Sequence, residues 1–526
     1  MKRIVFLIIA SLLVLGLVLP GCDGGNGVEF EDWITIGVAG PLTFIQGRDH
    51  LAGAEMARDE INAAGGITDG TTVWGIKIES CDTNEILDTG GGTGTTALTG
   101  IIDKVDFVVG GFRTEAVQVY REVAMDAGKI FFNCGPATKA LCDDVATNYT
   151  QYKYFFRGTP YNDVFLIANC LKMAGEINAR LRAEAGMDSG DPATTVAVIV
   201  ENAEWCIGFA AALPYYLPMI GLNVTSTQTP DSNATDLTTE INAIIAETGG
   251  EPMITFTVLS GPPGKAYGMQ QPLLLPHTFS TGINVESQDI DYYHDTGAVY
   301  HTGLDTWSVG TANTPKTLDW WDDYMAKTGR YPTYCAATYD STYALKAAIE
   351  DVGLDTDAII EWLEDLDNAQ TGVGSKAGFY PQGAIQLAAT TWALNITQVL
   401  EIYPDYVPAD FNHVVLPPAY GALAGLVCDT DIPYTGLPGQ PCWTTTAGPV
   451  RHDLIYGVGW ATGQGIQWQP VDPEHPEGEW AKYNWWPFYT EGADAVRTDE
   501  YGNWNFAYPG CKPLIIPQIW IDYWSV

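Results

Sequence analysis

Short apolar runs alternate with segments of helical periodicity along the first half of the chain. Residues 106–138 show the pattern most fully. The run 107–109 predicts a buried strand, the glycines after it predict a tight turn, and apolar residues at helical spacing over 116–127 predict a helix that opens at Thr114. The run 130–132 predicts the next strand. These residues therefore form a strand–turn–helix–strand unit.

The same alternation continues on both sides of this unit. Strands at 34–38 and 76–80 and a helix at 53–63 make the first part a β-α-β-α-β-α-β series. After a break at 156–160, the second part has helices at 163–182, 207–220 and 237–248 and strands at 196–200, 223–227 and 254–259. Two such halves predict an α/β fold of two doubly wound three-layer α/β/α lobes joined by a hinge, with a cleft that suits a small ligand.

The turn before Thr114 is a candidate anion-binding site. A helix that follows a parallel strand begins at the carboxyl edge of the sheet, where its first amides have no partner within the helix. The Thr114 hydroxyl and the Arg113 guanidinium would add donors for a carboxylate. The alternative is that Thr114 only caps its helix and that Arg113 is solvated.

The N-terminus has the features of an export signal. Lys2 and Arg3 precede an apolar run at 4–19, which ends in Leu-Pro-Gly and Cys22. This end resembles a lipobox, in which the cysteine is lipidated, whereas an ordinary signal peptide would leave Cys22 incidental. Residues 1–22 are therefore predicted to be a lipoprotein signal peptide and the Gly-rich residues 23–32 a flexible tether. The mature protein is expected to be extracytoplasmic and lipid-anchored.

Charge and composition exclude several classes of partner. With 64 acidic and 25 basic residues, the formal net charge is -39, which argues against nucleic acid as a partner. No histidine or cysteine cluster predicts a metal site, and the Gly-rich passage at 89–94 fits no phosphate loop, so no cofactor is expected. Outside the cytoplasm, Cys134 with Cys142 and Cys428 with Cys442 are candidate disulfides.

Several segments occur in the order typical of one known family. They are ITIGVAGPLT, RDEINAAGGI, DKVDFVVGG, KYFFRGTPYND, TVAVIVENAEWCIGF and ATYDSTYALKAAIE, with a weaker match at HDLIYGVGWATGQGIQW. In order and spacing they resemble the leucine/isoleucine/valine-binding protein family, the type I periplasmic solute-binding proteins of ABC importers. The resemblance implies a two-lobed clamp that closes on an amino acid and delivers it to ABC permease subunits.

The resemblance also implies which residues bind the ligand. Thr114 matches the hydroxyl residue that holds the ligand carboxylate, and Trp205 stands where the family usually has a tyrosine that covers the ligand. The second carboxylate contact falls within 135–138, at Gly135 and at either Ala137 or Thr138. 

Three further positions match the family less closely. Ser260 follows a strand where the family often has tyrosine, and Glu286, or alternatively Asn284, would pair with the ligand ammonium. Arg113 replaces a small or neutral residue. Its charge favours a ligand with extra negative charge or a different carboxylate pose, so an acidic amino acid, an organic acid, an aromatic acid or a peptide remains open beside the branched-chain amino acids.

The resemblance divides the chain between the lobes. Residues 33–156 and about 285–384 would form lobe one, and residues 157–284 and about 385–526 would form lobe two with an aromatic-rich C-terminal extension. The tryptophans of the extension either line a surface for a partner or sugar or pack the extension against lobe two. They are Trp468, Trp480, Trp485, Trp486 and Trp504.

Two other functions can be weighed against import. The same clamp serves sensory receptors, and a sensory component is the alternative interpretation. An enzyme is not expected, because the sequence has no GxSxG motif, no Ser/Lys signature and no metal constellation.

Overall fold

The fold is built on two separate parallel sheets. The computed structural model describes residues 30–159, 162–188, 190–297, 299–309, 314, 316–365, 368, 370–373, 376–377, 413–415, 427–429, 452–454, 464–486, 496–498, 504–506 and 512–525. Cys22 and Cys442 lie outside these residues, so the predictions of lipidation and of a Cys428–Cys442 disulfide stay predictions.

Lobe one is the sheet of six strands and the helices packed on it. Its strands are β1 (Asp32–Gly40), β2 (Ile67–Thr68), β3 (Val73–Asp82), β4 (Phe107–Gly110), β5 (Phe131–Asn133) and β6 (Phe155–Arg157). They lie in the order β2-β3-β1-β4-β5-β6, and every pair is parallel except β2 with β3. The next strands in the chain, β2 and β3, lie on one side of β1, and β4 to β6 lie on the other. This change of direction leaves a crevice beyond the carboxyl end of β1.

Lobe two repeats this plan with four parallel strands. They are β7 (Thr194–Val200), β8 (Leu222–Gln228), β9 (Ile254–Leu259) and β10 (Phe279–Asn284), in the order β10-β9-β7-β8. All six residues of β9 and all six of β10 are buried, as expected where helices cover both faces of a parallel sheet. The two-lobed α/β/α architecture predicted from the sequence is confirmed.

Helices cover the faces of both sheets. Those between the strands are α1 (Ile45–Ala63), α2 (Gly92–Thr99), α3 (Thr114–Asp126), α4 (Ala140–Thr147), α5 (Tyr149–Tyr152), α6 (Asp163–Glu184), α7 (Ile207–Tyr216), α8 (Thr238–Thr248) and α9 (Gly261–Leu274). After β10 come α10 (Ile290–Thr296), α11 (Thr317–Thr328), α12 (Thr338–Val352), α13 (Thr356–Glu364) and, near the C-terminus, α14 (Gln518–Trp524). No helix among the described residues is both long and apolar enough to cross a membrane.

Smaller antiparallel pairings follow the second sheet. The strands are β11 (Thr302–Asp305), β12 (Gln370–Thr371), β13 (Lys376–Ala377), β14 (His413–Val415), β15 (Val427–Asp429), β16 (Gln464–Pro470), β17 (Trp480–Trp486), β18 (Val496–Thr498) and β19 (Trp504–Phe506). β11, β16 and β17 form one three-stranded sheet, and the other strands pair two by two.

The return to lobe one begins later than residue 285. The turn Val285–Gln288 packs on α9, and β11 lies against β10, so both stay with lobe two. Helices α11 and α12 then pack on α1 of lobe one. The sequence predicted the boundary at about 285; β11 is also paired with the C-terminal strand β16, a contact that no local pattern could indicate.

The first helix begins eight residues before the predicted start at residue 53, at Ile45. Its first turns carry Gln46, Asp49 and His50, all fully buried. Apolar periodicity does not detect this segment because the buried face is polar. Asp49, for example, accepts hydrogen bonds from the Tyr324 hydroxyl at 2.7 Å and the Thr333 amide at 2.8 Å.

The proposed disulfide between Cys134 and Cys142 is absent, and both thiols are free and buried. The Cys134 sulfur lies 3.3 Å from the Ser341 hydroxyl, whereas the Cys142 sulfur faces the His452 carbonyl at 3.9 Å. The prediction was wrong because nearness in sequence does not fix the direction of the two side chains: one ends a strand and the other lies on α4. Burial raises the pKa of each thiol to about 12.

Candidate functional site

The carboxyl ends of the two sheets meet across one cleft. Loops after β4 and β5 form the wall of lobe one, and loops after β7, β9 and β10 form the wall of lobe two. At Gly110 the backbone has φ +116°, and a Cβ would lie 2.0 Å from the Ala39 carbonyl oxygen. At Gly135 a Cβ would lie 2.1 Å from the Gly111 carbonyl oxygen. Glycine at these two positions lets the lobe-one loops pack closely.

The cleft contains a mostly apolar pocket. It encloses about 440 Å³ of space free of protein atoms, part of it open to solvent. Its lining residues are Phe112, Gly135, Ala137, Leu166, Trp205, Ile283, Val285, Gln288, Leu304 and Tyr334. Three of them, Gly135, Ala137 and Trp205, are residues that the sequence predicted. Walls of this kind suit the apolar body of a small ligand.

Arg113 crosses the cleft rather than facing solvent. The side chain is fully buried, and its NH1 lies 3.0 Å from Oε1 of Glu201, the first residue after β7. Its NH2 donates a longer bond, 3.4 Å, to the Ser232 carbonyl. Burial is the largest single influence and disfavours the charge of Arg113, but Glu201, Glu115 and Cys206 together outweigh it, and the pKa of the guanidinium is raised.

Glu201 accepts hydrogen bonds from two of the predicted residues of lobe two. The Trp205 indole N–H and the Ser260 hydroxyl each donate to Oε1 of Glu201, both at 2.6 Å. Three donors, including Arg113, therefore meet at one carboxylate oxygen. Glu201 was not among the predicted residues, although a charged residue directly after a buried strand of a parallel sheet marks the ligand edge.

Glu85 occupies the turn before α3, which was expected to bind an anion. Its Oε2 accepts from the amides of Phe112 at 3.2 Å and Arg113 at 2.9 Å, and its Oε1 accepts from the Thr83 hydroxyl at 2.8 Å. Burial raises the pKa of Glu85 to about 7, although these donors oppose the rise. A ligand carboxylate would therefore have to use other donors than these two amides.

The two threonines of the lobe-one wall bond to each other. The hydroxyls of Thr114 and Thr138 lie 2.7 Å apart, and Thr114 is the first residue of α3, after the N-cap residue Arg113. Both side chains are buried at the start of α3 and in the loop after β5. One hydroxyl of this pair donates and the other accepts, so the pair can reorient toward a ligand.

Glu286 also reaches across the cleft. Its Oε1 accepts from Gln46 of lobe one at 2.6 Å and from the Gly261 amide at 2.9 Å. Burial raises the pKa of Glu286 to about 7, with the bonds from Gln46 and Gly261 opposing the rise. Asn284 instead serves lobe two: it accepts from the Glu286 amide at 3.2 Å and donates to the Gly264 carbonyl at 2.9 Å.

Several buried polar atoms in the cleft have no protein partner. They are Nε of Arg113, Oε2 of Glu201 and Oε1 of Gln46. Buried polar atoms are normally hydrogen-bonded, so these atoms offer one donor and two acceptors to a bound molecule. Within the part of the chain that the structure describes, no three histidine, cysteine or acidic side chains are grouped as a metal site would need.

A two-lobed α/β clamp with a pocket between the carboxyl edges of its sheets defines a type I periplasmic binding protein fold. Residues 34–396 match the family described as "Periplasmic binding protein". The match covers more than half of the chain, so the protein belongs to this family of solute-binding proteins.

Solved structures share the fold at low sequence identity. LivJ from Streptococcus pneumoniae, a branched-chain amino acid transporter substrate binding protein in complex with isoleucine, is 19% identical with a TM-score of 0.51, covering 66% of this chain and 92% of that one. A solute binding protein of an ABC transporter from R. palustris, in complex with 4-hydroxybenzoate, is 16% identical with a TM-score of 0.53, covering 66% and 89%. No curated protein matches the chain.

Proposed function

We propose that this protein is an extracytoplasmic solute-binding lipoprotein that captures an amino acid or a related small carboxylate and delivers it to the permease subunits of an ABC importer. The observation that carries the proposal is the apolar pocket between the two lobes. Arg113 and Glu201, whose Nε and Oε2 have no hydrogen-bond partner, adjoin its lining residues: Arg113 follows Phe112 in the chain, and Glu201 accepts from Trp205. The protein would bind its ligand without catalysing a reaction, and lipid on Cys22 would anchor it to the membrane.

The chemistry of the pocket supports a ligand with an apolar body and charged ends. Arg113 Nε can donate to a carboxylate, and Glu201 Oε2 can accept from an ammonium group. Glu286, with its raised pKa, has no cation within salt-bridge distance among the described residues. Isoleucine and 4-hydroxybenzoate, the ligands of the two related structures, both combine an apolar body with a carboxylate.

Capture would proceed by hinge closure. Arg113 with Glu201 and Gln46 with Glu286 join the two walls directly. A ligand that contacts both walls binds the closed form better than the open one and therefore shifts the population toward closure.

A ligand screen followed by one substitution tests the proposal. Thermal shift of the mature protein with isoleucine, 4-hydroxybenzoate, glutamate and a dipeptide should show stabilisation by at least one of them. Titration calorimetry should then show that Thr114→Val weakens binding of that ligand by about 1–3 kcal/mol, because the ligand carboxylate loses the hydroxyl that Thr114 would donate.

A matched variant controls for the loss of a buried hydroxyl. Thr342 is fully buried, but its hydroxyl donates to the Thr338 carbonyl within α12, so Thr342→Val should leave the affinity unchanged. Stabilisation by none of the four compounds would contradict the proposed ligand class. Equal affinity of wild type and Thr114→Val would remove Thr114 from the binding site.

A further inference from the structure

The C-terminal hairpin is packed directly behind the ligand pocket. The hairpin consists of β16 and β17, and β16 also pairs with β11, so these three strands form one sheet beside lobe two. Trp468 on β16 is fully buried and stacks between Tyr293 and Tyr331, with ring centroids at 5.6 Å and 5.8 Å. Trp480 on β17 is also buried and stacks on Tyr293 at 5.4 Å. These two rings therefore pack the extension on the protein and form no open aromatic surface.

The element in front of the hairpin is a single 3₁₀ turn, Val285–Gln288. Val285 and Gln288 line the pocket, and Glu286 lies between them. The last carbonyls of a helical turn have no partner within the turn. Those of Ser287 and Gln288 therefore need donors from elsewhere, because this region is buried.

The hairpin supplies both donors. The indole N–H of Trp468 donates to the Ser287 carbonyl at 2.8 Å. The ammonium group of Lys482, on β17, donates to the Gln288 carbonyl at 2.7 Å. Lys482 is fully buried and is also paired with Asp305 of β11. The Asp305 carboxylate thus balances the charge of Lys482, whose ammonium group bonds to the last residue of the turn.

We propose that the C-terminal hairpin holds the pocket-lining turn in its binding position, with Trp468 and Lys482 as positioning residues. This gives the extension a role beyond the proposed capture of a solute: it sets the position of Val285, Glu286 and Gln288 from behind. Without these donors, the two carbonyls must turn toward water, and the turn must move with them.

Two buried tryptophans of the same hairpin provide a matched test. Trp468→Phe keeps a ring for stacking but removes the donor to Ser287. Trp480→Phe removes an indole N–H that donates to Pro476, within the hairpin itself, at 2.9 Å. Hydrogen exchange of the full-length protein without ligand should rise about tenfold at residues 285–289 in Trp468→Phe and remain at the wild-type rate there in Trp480→Phe.

A second variant keeps the test decisive if Trp468→Phe does not fold. Lys482→Met combined with Asp305→Asn removes the donor to Gln288 without leaving a buried charge unpaired, and it should raise exchange at the same residues. If both tryptophan variants change exchange at 285–289 equally, or if no variant changes it, the hairpin only covers lobe two and the proposal is wrong. Neither outcome depends on which solute the protein binds.

Discussion

Two buried arginines, Arg113 in the cleft and Arg157 at the end of β6, use their donors differently. Arg157 donates from Nε to Asp453 at 2.5 Å, from NH1 to the Pro136 carbonyl at 2.7 Å and from NH2 to the Thr138 carbonyl at 2.9 Å. Arg113 makes one close bond, to Glu201, and one long bond, and its Nε is unpaired. Both side chains are fully buried.

The difference separates an ion pair whose arginine uses all of its donor groups within the protein from one that keeps a donor and an acceptor atom unpaired in the cleft. Asp453 belongs to residues 452–454, which run beside β6, and the Arg157 amide donates to the His452 carbonyl at 3.0 Å. That network joins distant parts of the chain, and it leaves none of the three donor groups of Arg157 without a partner. The Arg113–Glu201 pair lies between the lobes, where opening of the cleft would admit water to both charges.

The largest effect is expected from Arg157→Met. The substitution leaves Asp453 buried without its cation and should lower the free energy of unfolding by about 3–5 kcal/mol. Guanidinium denaturation measures the loss, and adding Asp453→Asn should recover part of it by removing the unpaired charge. A loss below about 1 kcal/mol would show that Arg157 is not a structural residue.

A smaller loss is expected from Arg113→Met. Glu201 can regain water when the lobes separate, so the free energy of unfolding should fall by no more than about 2 kcal/mol. The clamp should instead open, which small-angle scattering would detect as a larger radius of gyration. Arg121→Met is the control, because Arg121 is buried on lobe one beside Asp144, away from the cleft. Equal scattering by wild type and Arg113→Met would contradict the role of Arg113 in closure.

Per pH unit, the smallest effect is expected in the pH dependence of stability. Because burial raises the pKa of Glu286 from 4.5 to about 7, the folded protein binds this proton more tightly than the unfolded chain. The contribution of Glu286 to stability should therefore be complete below about pH 4.5. It should be lost as the pH rises from there through about 7, by at most about 1.4 kcal/mol per pH unit.

Glu286→Gln stays neutral and should remove that part of the decline, as denaturation curves at several pH values would show. Glu85, whose pKa burial also raises to about 7, and Asp289, whose pKa burial raises to about 6, should keep the remainder. The exposed Glu204 offers a control, since Glu204→Gln makes the same substitution at the protein surface. An unchanged profile in Glu286→Gln would mean that Glu286 is ionised in the folded protein throughout this range.

Much of the architecture could be predicted from local patterns. The strand predicted at 254–259 has the observed bounds of β9, and the helix predicted at 163–182 ends two residues before α6 does, at Glu184. Buried parallel strands are continuous apolar runs, and helices that cover them have apolar residues at helical spacing, so neighbouring residues carry the signal. Polar helix turns that face the interior, such as Gln46 to His50 in α1, carry no such signal.

The sequence predicted where in the fold the candidate site residues lie better than it predicted which residues they contact. Every predicted binding residue lies at or after the carboxyl end of a strand, because chain order alone assigns those ends to the cleft edge of a parallel sheet. Gln46, Glu85 and Glu201 were missed, and so was the pairing of Arg113 with Glu201, because each of these contacts joins residues far apart in the sequence.

The sequence by itself determined two parallel sheets and the edge at which a ligand would bind, because strand and helix periodicities and their order are local properties of the chain. Only the tertiary structure decided which charges face one another across the cleft. It also placed the Glu85 carboxylate on the helix-start amides and brought Trp468 and Lys482 behind the pocket turn. Burial makes an unpaired charge or carbonyl costly, and which groups meet in the interior depends on contacts that no local pattern records.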